Sequence, residues 1–500
     1  MLKNVLEYLE TTTGHLPDKV SFSDDNNSLT FSMLQDKAMR VGTYLYNHGI
    51  YKEPVVVFME KGPDNIAAFF GAVYGGNSYV PIDDEMPSHR IQLIFKSLNP
   101  RAVICDDKTK TLAMEFDFDG ELLSFDEIVL CPADMEVIGR VREKHIDTDP
   151  VYIIYTSGST GVPKGVVASH RSLIDYIESL SDVLGFSEDT VFANQAPLYF
   201  DASMKELYQT IKHGATTFMV PKSLFMFPVK LIEYLNEHKI NTICWVVSAL
   251  SIVATFDTFE TVVPQYVHTV TFVGEVLPIK HLNTWRSALP GARFVNLYGP
   301  TEITGVCCYF DVERNYNLDE VIPIGKPLNN TDIFLLDDDN LPTNEGEICV
   351  RGACLAHGYY GDPERTAAAF VQNPLNNAYP ELIYRTGDIG RYDEDGNLVF
   401  MSRKDFQIKH MGHRIELGEI EAVVHAIHEV ERACALFDDV NKKIILYYAG
   451  SISEKDMVKC IKDKLPRYMV PNYIKKLDAL PLTPSSKINR VLLKEMYENK

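Results

Sequence analysis

The 500-residue chain has no pattern among its nine cysteines: there is no CxxC pair and no regular spacing. A disulfide framework is therefore excluded. Cys307 and Cys308 are adjacent, a poor geometry for ligating a metal or for two separate bridges. Long apolar runs are missing too. Nothing approaches the roughly 18 consecutive apolar residues of a membrane span. The N-terminal MLKNVLEYLETTTGH mixes acidic with apolar residues and has no signal-peptide core, so a cytoplasmic protein is expected. Positive charge is in deficit: 48 Lys and Arg face 69 Asp and Glu, a formal net charge of −21. That excludes a general nucleic-acid binder, which needs a basic face to displace counterions. The 29 glycines and 26 prolines follow no period, which excludes collagen-like and low-complexity architectures.

What is present is an ordinary globular composition, 46% hydrophobic and 23% charged, in a chain too long for one core. LTFSMLQDKAMRVGTYLYNHGI (29–50) has helical apolar spacing and PVVVFMEK (54–61) reads as a buried strand. Helix and strand alternate through NSYVPID, RIQLIFKSL and AVICDD, and again after residue 165. This alternation predicts mostly parallel sheets covered by helices. After residue 320 the texture turns to short strands and tight turns, with a hairpin around Asp395-Gly396. A last α+β stretch begins near 401–405, and there the charge changes sign. Residues 401–500 hold 18 basic against 14 acidic side chains, and the preceding 400 hold 30 against 55. The fold class read from these patterns is α/β (α+β multidomain). A large N-terminal domain (1–402) of parallel-sheet α/β layers plus a β-barrel-like part precedes a small α+β domain (403–500).

The densest motif is YTSGSTGVPKGV (155–166), which follows the apolar strand VYII. Gly158, Gly161 and Gly165 let backbone N–H groups turn inward. Thr156, Ser157, Ser159 and Thr160 supply hydroxyls, and Lys164 adds a point charge. The set suits phosphate, although glycine spacing and lysine position differ from the GxxxxGK[ST] loop.

Five motifs in order, TSGSTGVPKG, NLYGPTE (296–302), YRTGD (384–388), DFQIKHMGHRIELGEIE (405–421) and PLTPSSKINR (481–490), make the chain resemble the adenylate-forming superfamily. Within it the chain looks most like amino-acid adenylation domains of nonribosomal peptide synthetases and the related stand-alone D-alanine–carrier protein ligases. LTFSML (29–34) and NSYVPID (77–83) agree, so the resemblance runs over about residues 20–495. It implies a ligase that uses ATP and Mg²⁺ to make an aminoacyl adenylate, releases pyrophosphate, and hands the acyl group to a phosphopantetheine thiol. The partners implied are an amino acid and a carrier protein acting in trans, with the enzyme a monomer.

The resemblance also assigns residues. Thr156, Ser157, Gly158, Thr160, Gly161 and Lys164 would hold the β- and γ-phosphates. Tyr298 would stack on adenine, with Asn296 and Gly299 beside it. Thr301 would reach the α-phosphate and Glu302 would hold Mg²⁺. Asp388 would accept from the ribose hydroxyls, assisted by Arg403. Lys487 would stabilise charge between carboxylate and α-phosphate. Asp405 would be the hinge, and Gly412 would let the pantetheine arm pass close to backbone. Ser402 departs from the family, which usually has glycine there. His170 either packs the phosphate loop or touches the phosphates.

Asp201, in YFDASMKEL (199–207), matches the acid that pairs with a substrate α-ammonium and opposes plain fatty or aryl acids. Ala202, Lys205, Trp245, Thr271, Val273, Leu297, Gly305 and Val306 are expected to line the side-chain pocket. Lys205 could pair with an acidic substrate, pair with Glu206, or point to solvent. Val273 stands where D-alanine ligases are expected to carry cysteine. The alternatives are therefore a D-alanine–carrier ligase, an acyl-CoA synthetase, and a non-catalytic scaffold. The presence of Lys164, Glu302, Asp388 and Lys487 together argues against the scaffold.

Overall fold

A computed structural model describes residues 2–158, 161–318, 320–404, 407–482 and 488–498. Thr160, Asp405 and Lys487, to which the sequence assigns roles, lie outside the described residues. The chain forms two compact units. The first comprises residues 1–84, 98–154 and 165–404, and the second comprises 85–97, 155–164 and 405–500. The helix around 88–97 and the phosphate loop, which the sequence reading puts in the large domain, thus cluster with the C-terminal residues.

The first unit carries the alternation read from the sequence. The helix Phe31–Asn47 opens at Thr30, whose hydroxyl accepts from the Met33 N–H, and closes before a left-handed Gly49. Two mostly parallel sheets result. One has the order Glu121–Ser124, Ala102–Cys105, Pro54–Phe58, Ser78–Ile82, Pro150–Thr156, Lys164–Ser169. In the other, a nine-stranded sheet, Arg293–Tyr298, Thr269–Val273, Thr242–Val246, Val191–Asn194, Thr216–Met219 and Val20–Ser23 run parallel, and antiparallel strands finish both edges. Pro54–Phe58 and Thr242–Val246 are buried at every position, as strands covered on both faces must be.

The region expected to be barrel-like is a five-stranded antiparallel sheet that includes Thr331–Leu336, Glu345–Gly352, Leu382–Tyr392 and Leu398–Arg403. The predicted Asp395-Gly396 turn joins the last two, with Gly396 at φ +74°. The second unit packs Ile415, Ile420, Val424, Leu446, Met457 and Ile461 into its own core, between the helices Leu417–His425 and Glu454–Lys464 and a three-stranded sheet. Among the described residues no helix is long and apolar enough to cross a membrane.

Candidate functional site

In the first unit, adjacent antiparallel strands put Asp388 opposite Arg403. The Arg403 guanidinium donates to Asp388 Oδ1, and the Tyr298 hydroxyl donates to Oδ2 at 2.5 Å. Arg403 also donates to the Thr386 carbonyl, and the Asp388 N–H donates to the Thr386 hydroxyl (3.2 and 3.0 Å). Three residues singled out separately in the sequence are therefore one buried network. Burial, followed by the Asp388 charge, holds the Tyr298 phenol far above its ordinary range, so it stays a donor. Asn296, two residues back on the same strand, donates instead to the Pro323 carbonyl (2.8 Å).

Beyond Tyr298 the chain folds back sharply. A Cβ on Gly299 would lie 2.0 Å from the Gly305 carbonyl oxygen, and Gly305, at φ +142°, faces the Tyr176 ring. This return holds Thr301 and Glu302 on a short 3-10 turn. Thr301 hydrogen-bonds the Asp201 carboxylate at the start of the helix Asp201–His213. Burial raises the Asp201 pKa against that bond. Glu302 is fully buried, and its Oε1 accepts from the Tyr359 hydroxyl at 2.8 Å. Nothing in the sequence pointed to Tyr359.

Among the described residues no group of three or more His, Cys, Asp or Glu could hold a metal on its own. The donor chemistry still suits Mg²⁺, which takes one or two carboxylates and completes its shell with water and substrate phosphates. Glu302 is one such hard, oriented carboxylate.

The expected pocket residues divide between two cores. Val273, Leu297 and Val306 share one core with Cys244. Trp245 does not join them. In the parallel register Cys244 pairs with Thr271 and Trp245 with Phe272. Side chains alternate along a strand, so Trp245 points to the opposite face. There it meets Trp285 edge-on and donates its indole N–H to the Ala193 carbonyl (2.8 Å). Cys244, and not Trp245, therefore shares its strand face with Thr271 and Val273. Ala202 packs against the Trp245 side. Lys205 is buried and acts electrostatically on the Cys244 thiol, which is hydrogen-bonded with Thr271.

In the second unit, Ser157 donates to the Arg414 carbonyl at 2.7 Å, and the Gly158 backbone hydrogen-bonds the Glu419 carboxylate. Gly161 has φ +83°, and a Cβ there would come 2.8 Å from Ala422. Two donors assigned to phosphate are thus engaged by the segment 414–419, while the buried Thr156 hydroxyl has no partner. Gly412 (φ +80°) and Met411 (φ +53°) form the two-residue turn between Gln407–His410 and His413–Glu416. Such a turn requires positive φ at both positions, which by itself accounts for glycine at 412. His170, in the first unit, is fully buried and accepts from the Val5 N–H at 3.3 Å, a packing role.

The family profile described as AMP-binding enzyme matches residues 9–360. Tyrocidine synthase 1 of Brevibacillus parabrevis is 32% identical over 508 residues, covering 99% of this chain and 45% of the relative. The chain therefore spans less than half the length of that relative. Among solved structures, holo-PA1221, described as an NRPS protein containing adenylation and PCP domains bound to a vinylsulfonamide inhibitor, superposes with a TM-score of 0.81. It is 25% identical and covers 99% of this chain and 84% of its own. The crystal structure of IdnL1 gives a TM-score of 0.82 at 26% identity, covering 96% and 99% of the two chains.

Proposed function

Since this chain belongs to the AMP-binding enzyme family of adenylate-forming ligases, we propose that it activates an amino acid as aminoacyl-AMP and transfers it to a carrier protein. The substrate carboxylate attacks the α-phosphorus of ATP and pyrophosphate leaves. A phosphopantetheine sulfur then attacks the acyl carbon and AMP leaves. The observation that carries the reading is Asp201. Burial keeps the Asp201 pKa raised despite its bond to Thr301 and the nearby Lys205 charge, so a further cation would stabilise its carboxylate, and a substrate α-ammonium is such a cation. Its bond to Thr301 would set the amino acid's carboxylate beside Thr301 and Glu302.

The remaining roles are proposed around that placement. Asp388, held by Arg403 and Tyr298, keeps acceptor capacity for ribose hydroxyls. Glu302, oriented by Tyr359, would hold Mg²⁺ arriving on the nucleotide, and that ion would neutralise charge on the phosphates. Lys487 would stabilise the charge shared by carboxylate and α-phosphate. The division at 402/403, with Asp405 as hinge, is the proposed means by which the small domain serves both half-reactions.

The test is ATP–pyrophosphate exchange with a panel of amino acids of both configurations. One strong amino-acid-dependent signal, abolished in Lys487→Ala, is expected. Exchange supported only by carboxylic acids without an amine would contradict the reading and favour acyl-CoA synthesis.

A further inference from the structure

Two buried ionisable side chains, Lys205 and Glu206, and two partly buried ones, Lys61 and Asp201, cluster along the helix Asp201–His213 in the first unit. Lys61 donates to the carbonyls of Ala196 and Asn194 (3.1 and 3.4 Å). The Asn194 amide donates to Glu206 Oε2, and Glu206 Oε1 has no partner. Burial pushes Lys61 down to about 8 and Glu206 up to about 7, while Lys205 and then Lys61 pull Glu206 back toward its charged form. Lys205 is only 1% exposed. It donates to the Ala202 carbonyl at 2.7 Å and, among the described residues, makes no direct ion pair with a carboxylate.

Glu206 uses its bonded oxygen on Asn194, and Lys61 has a second carboxylate, Asp83, acting on it. Asp201, which also acts on Lys205, is assigned to the substrate α-ammonium in the proposed function, on which this inference rests. That leaves the buried Lys205 ammonium with a carbonyl, and no carboxylate, bonded to it. A buried charge without a bonded counterion is costly, and the substrate can supply one. Lys205 follows Asp201 by one turn and lies on the same face, whereas Glu206 turns toward Asn194. A substrate anchored at Asp201 therefore runs its side chain toward Lys205. Lys205 and Thr271 both act on the Cys244 thiol, and the buried Thr271 Oγ1 has no nitrogen or oxygen partner. An ammonium and an unsatisfied hydroxyl donor together form a receptor for a carboxylate.

We infer that the substrate is an α-amino acid with a carboxylate side chain, held between Lys205 Nζ and Thr271 Oγ1. A neutral side chain would leave the Lys205 ammonium without a bonded carboxylate, and a basic one would bring a second positive charge to it.

The experiment is the exchange assay on the wild-type protein with aspartate and glutamate of both configurations, their amides, alanine, leucine and lysine. An acidic amino acid is expected to exceed its own amide by about a hundredfold in kcat/KM, the scale of a buried charge-assisted hydrogen bond. Lys205→Gln should remove most of that preference by weakening the acid, not by improving every substrate. Should Lys205→Gln fail to fold, Thr271→Val provides a second variant. It is expected to cut the acid-to-amide ratio several-fold. Strongest exchange with a neutral or basic amino acid would overturn this inference and leave amino-acid adenylation standing. Exchange with no amino acid would overturn the underlying reading as well.

Discussion

At the residue scale, the clearest case of one side chain acting through another is Tyr359. Its hydroxyl donates to Glu302 Oε1 at 2.8 Å inside a fully buried setting. Tyr359→Phe removes the donor and keeps the ring, so Glu302 loses orientation and not charge. The expected cost is about 1 kcal/mol of stability. The Mg²⁺ concentration for half-maximal exchange should rise roughly tenfold, as when an outer partner of a metal ligand is lost. A Mg²⁺ titration at saturating ATP reads this. An unchanged Mg²⁺ requirement would show that Tyr359 only packs. Asp388 was legible from the YRTGD motif, but its link to Tyr298 was not. Those residues are ninety apart in sequence and meet only because the chain beyond Tyr298 returns through the antiparallel sheet.

At the element scale, the return between Gly299 and Gly305 is among the tightest backbone contacts of the described residues. Gly299→Ala would put a Cβ 2.0 Å from the Gly305 carbonyl, and backbone cannot yield as a side-chain tip can. A loss of about 3 kcal/mol is expected from urea midpoints. Gly139 is the control. It lies within the helix Met135–Lys144 with nothing near its absent Cβ, so Gly139→Ala should stabilise by roughly 0.5–1 kcal/mol. Helix boundaries such as Thr30 and Gly49 were readable from cap residues and periodicity. The facing of Thr242–Val246 was not. TICWV is apolar on both faces because both are buried, and such a strand has no alternation to betray which side chain points to the pocket. Only its register with Thr269–Val273 separates Cys244 from Trp245.

The N-terminal helix Leu6–His15 is pinned by two neutral imidazoles. The Asn4 amide meets His145 Nδ1 and the Val5 N–H donates to His170 Nδ1. Protonation would place a hydrogen where these rings now accept. Burial lowers His145 from 6.5 to about 4 and His170 well below its ordinary value. The unfolded chain therefore binds more protons than the folded one below pH 6.5. Stability from this pair is complete above 6.5 and is lost as pH falls from there toward 4. Each histidine contributes at most about 1.4 kcal/mol per pH unit in that window. Thermal melts across pH 4–8 should show it, and His145→Gln should flatten the slope.

At the scale of the whole molecule, the sequence order of the motifs carried the family and most of the architecture. It did not carry the grouping of residues 85–97 and 155–164 with the C-terminal residues. Among the contacts inside that group are Arg90 with Glu419, both buried, and Ser157 with the Arg414 carbonyl. A buried ion pair leaves no periodic trace in sequence. Arg90→Met would strand Glu419 without its cation and should destabilise the second unit by roughly 3–5 kcal/mol. The double variant Arg90→Met/Glu419→Leu should recover much of that loss in urea unfolding. No recovery would show that the pair is not what holds these segments together.

The central claim is that Asp201 reads the ammonium of an amino acid on its way to becoming an adenylate. The most direct measurement compares ATP–pyrophosphate exchange for the preferred amino acid with that for the same acid lacking its α-amine, in wild-type and Asp201→Asn proteins. The account predicts a preference of about a hundredfold or more for the amine-bearing substrate, collapsing in Asp201→Asn, as expected when a buried charged partner is lost. Equal exchange with the amine-free acid in the wild-type protein would contradict it.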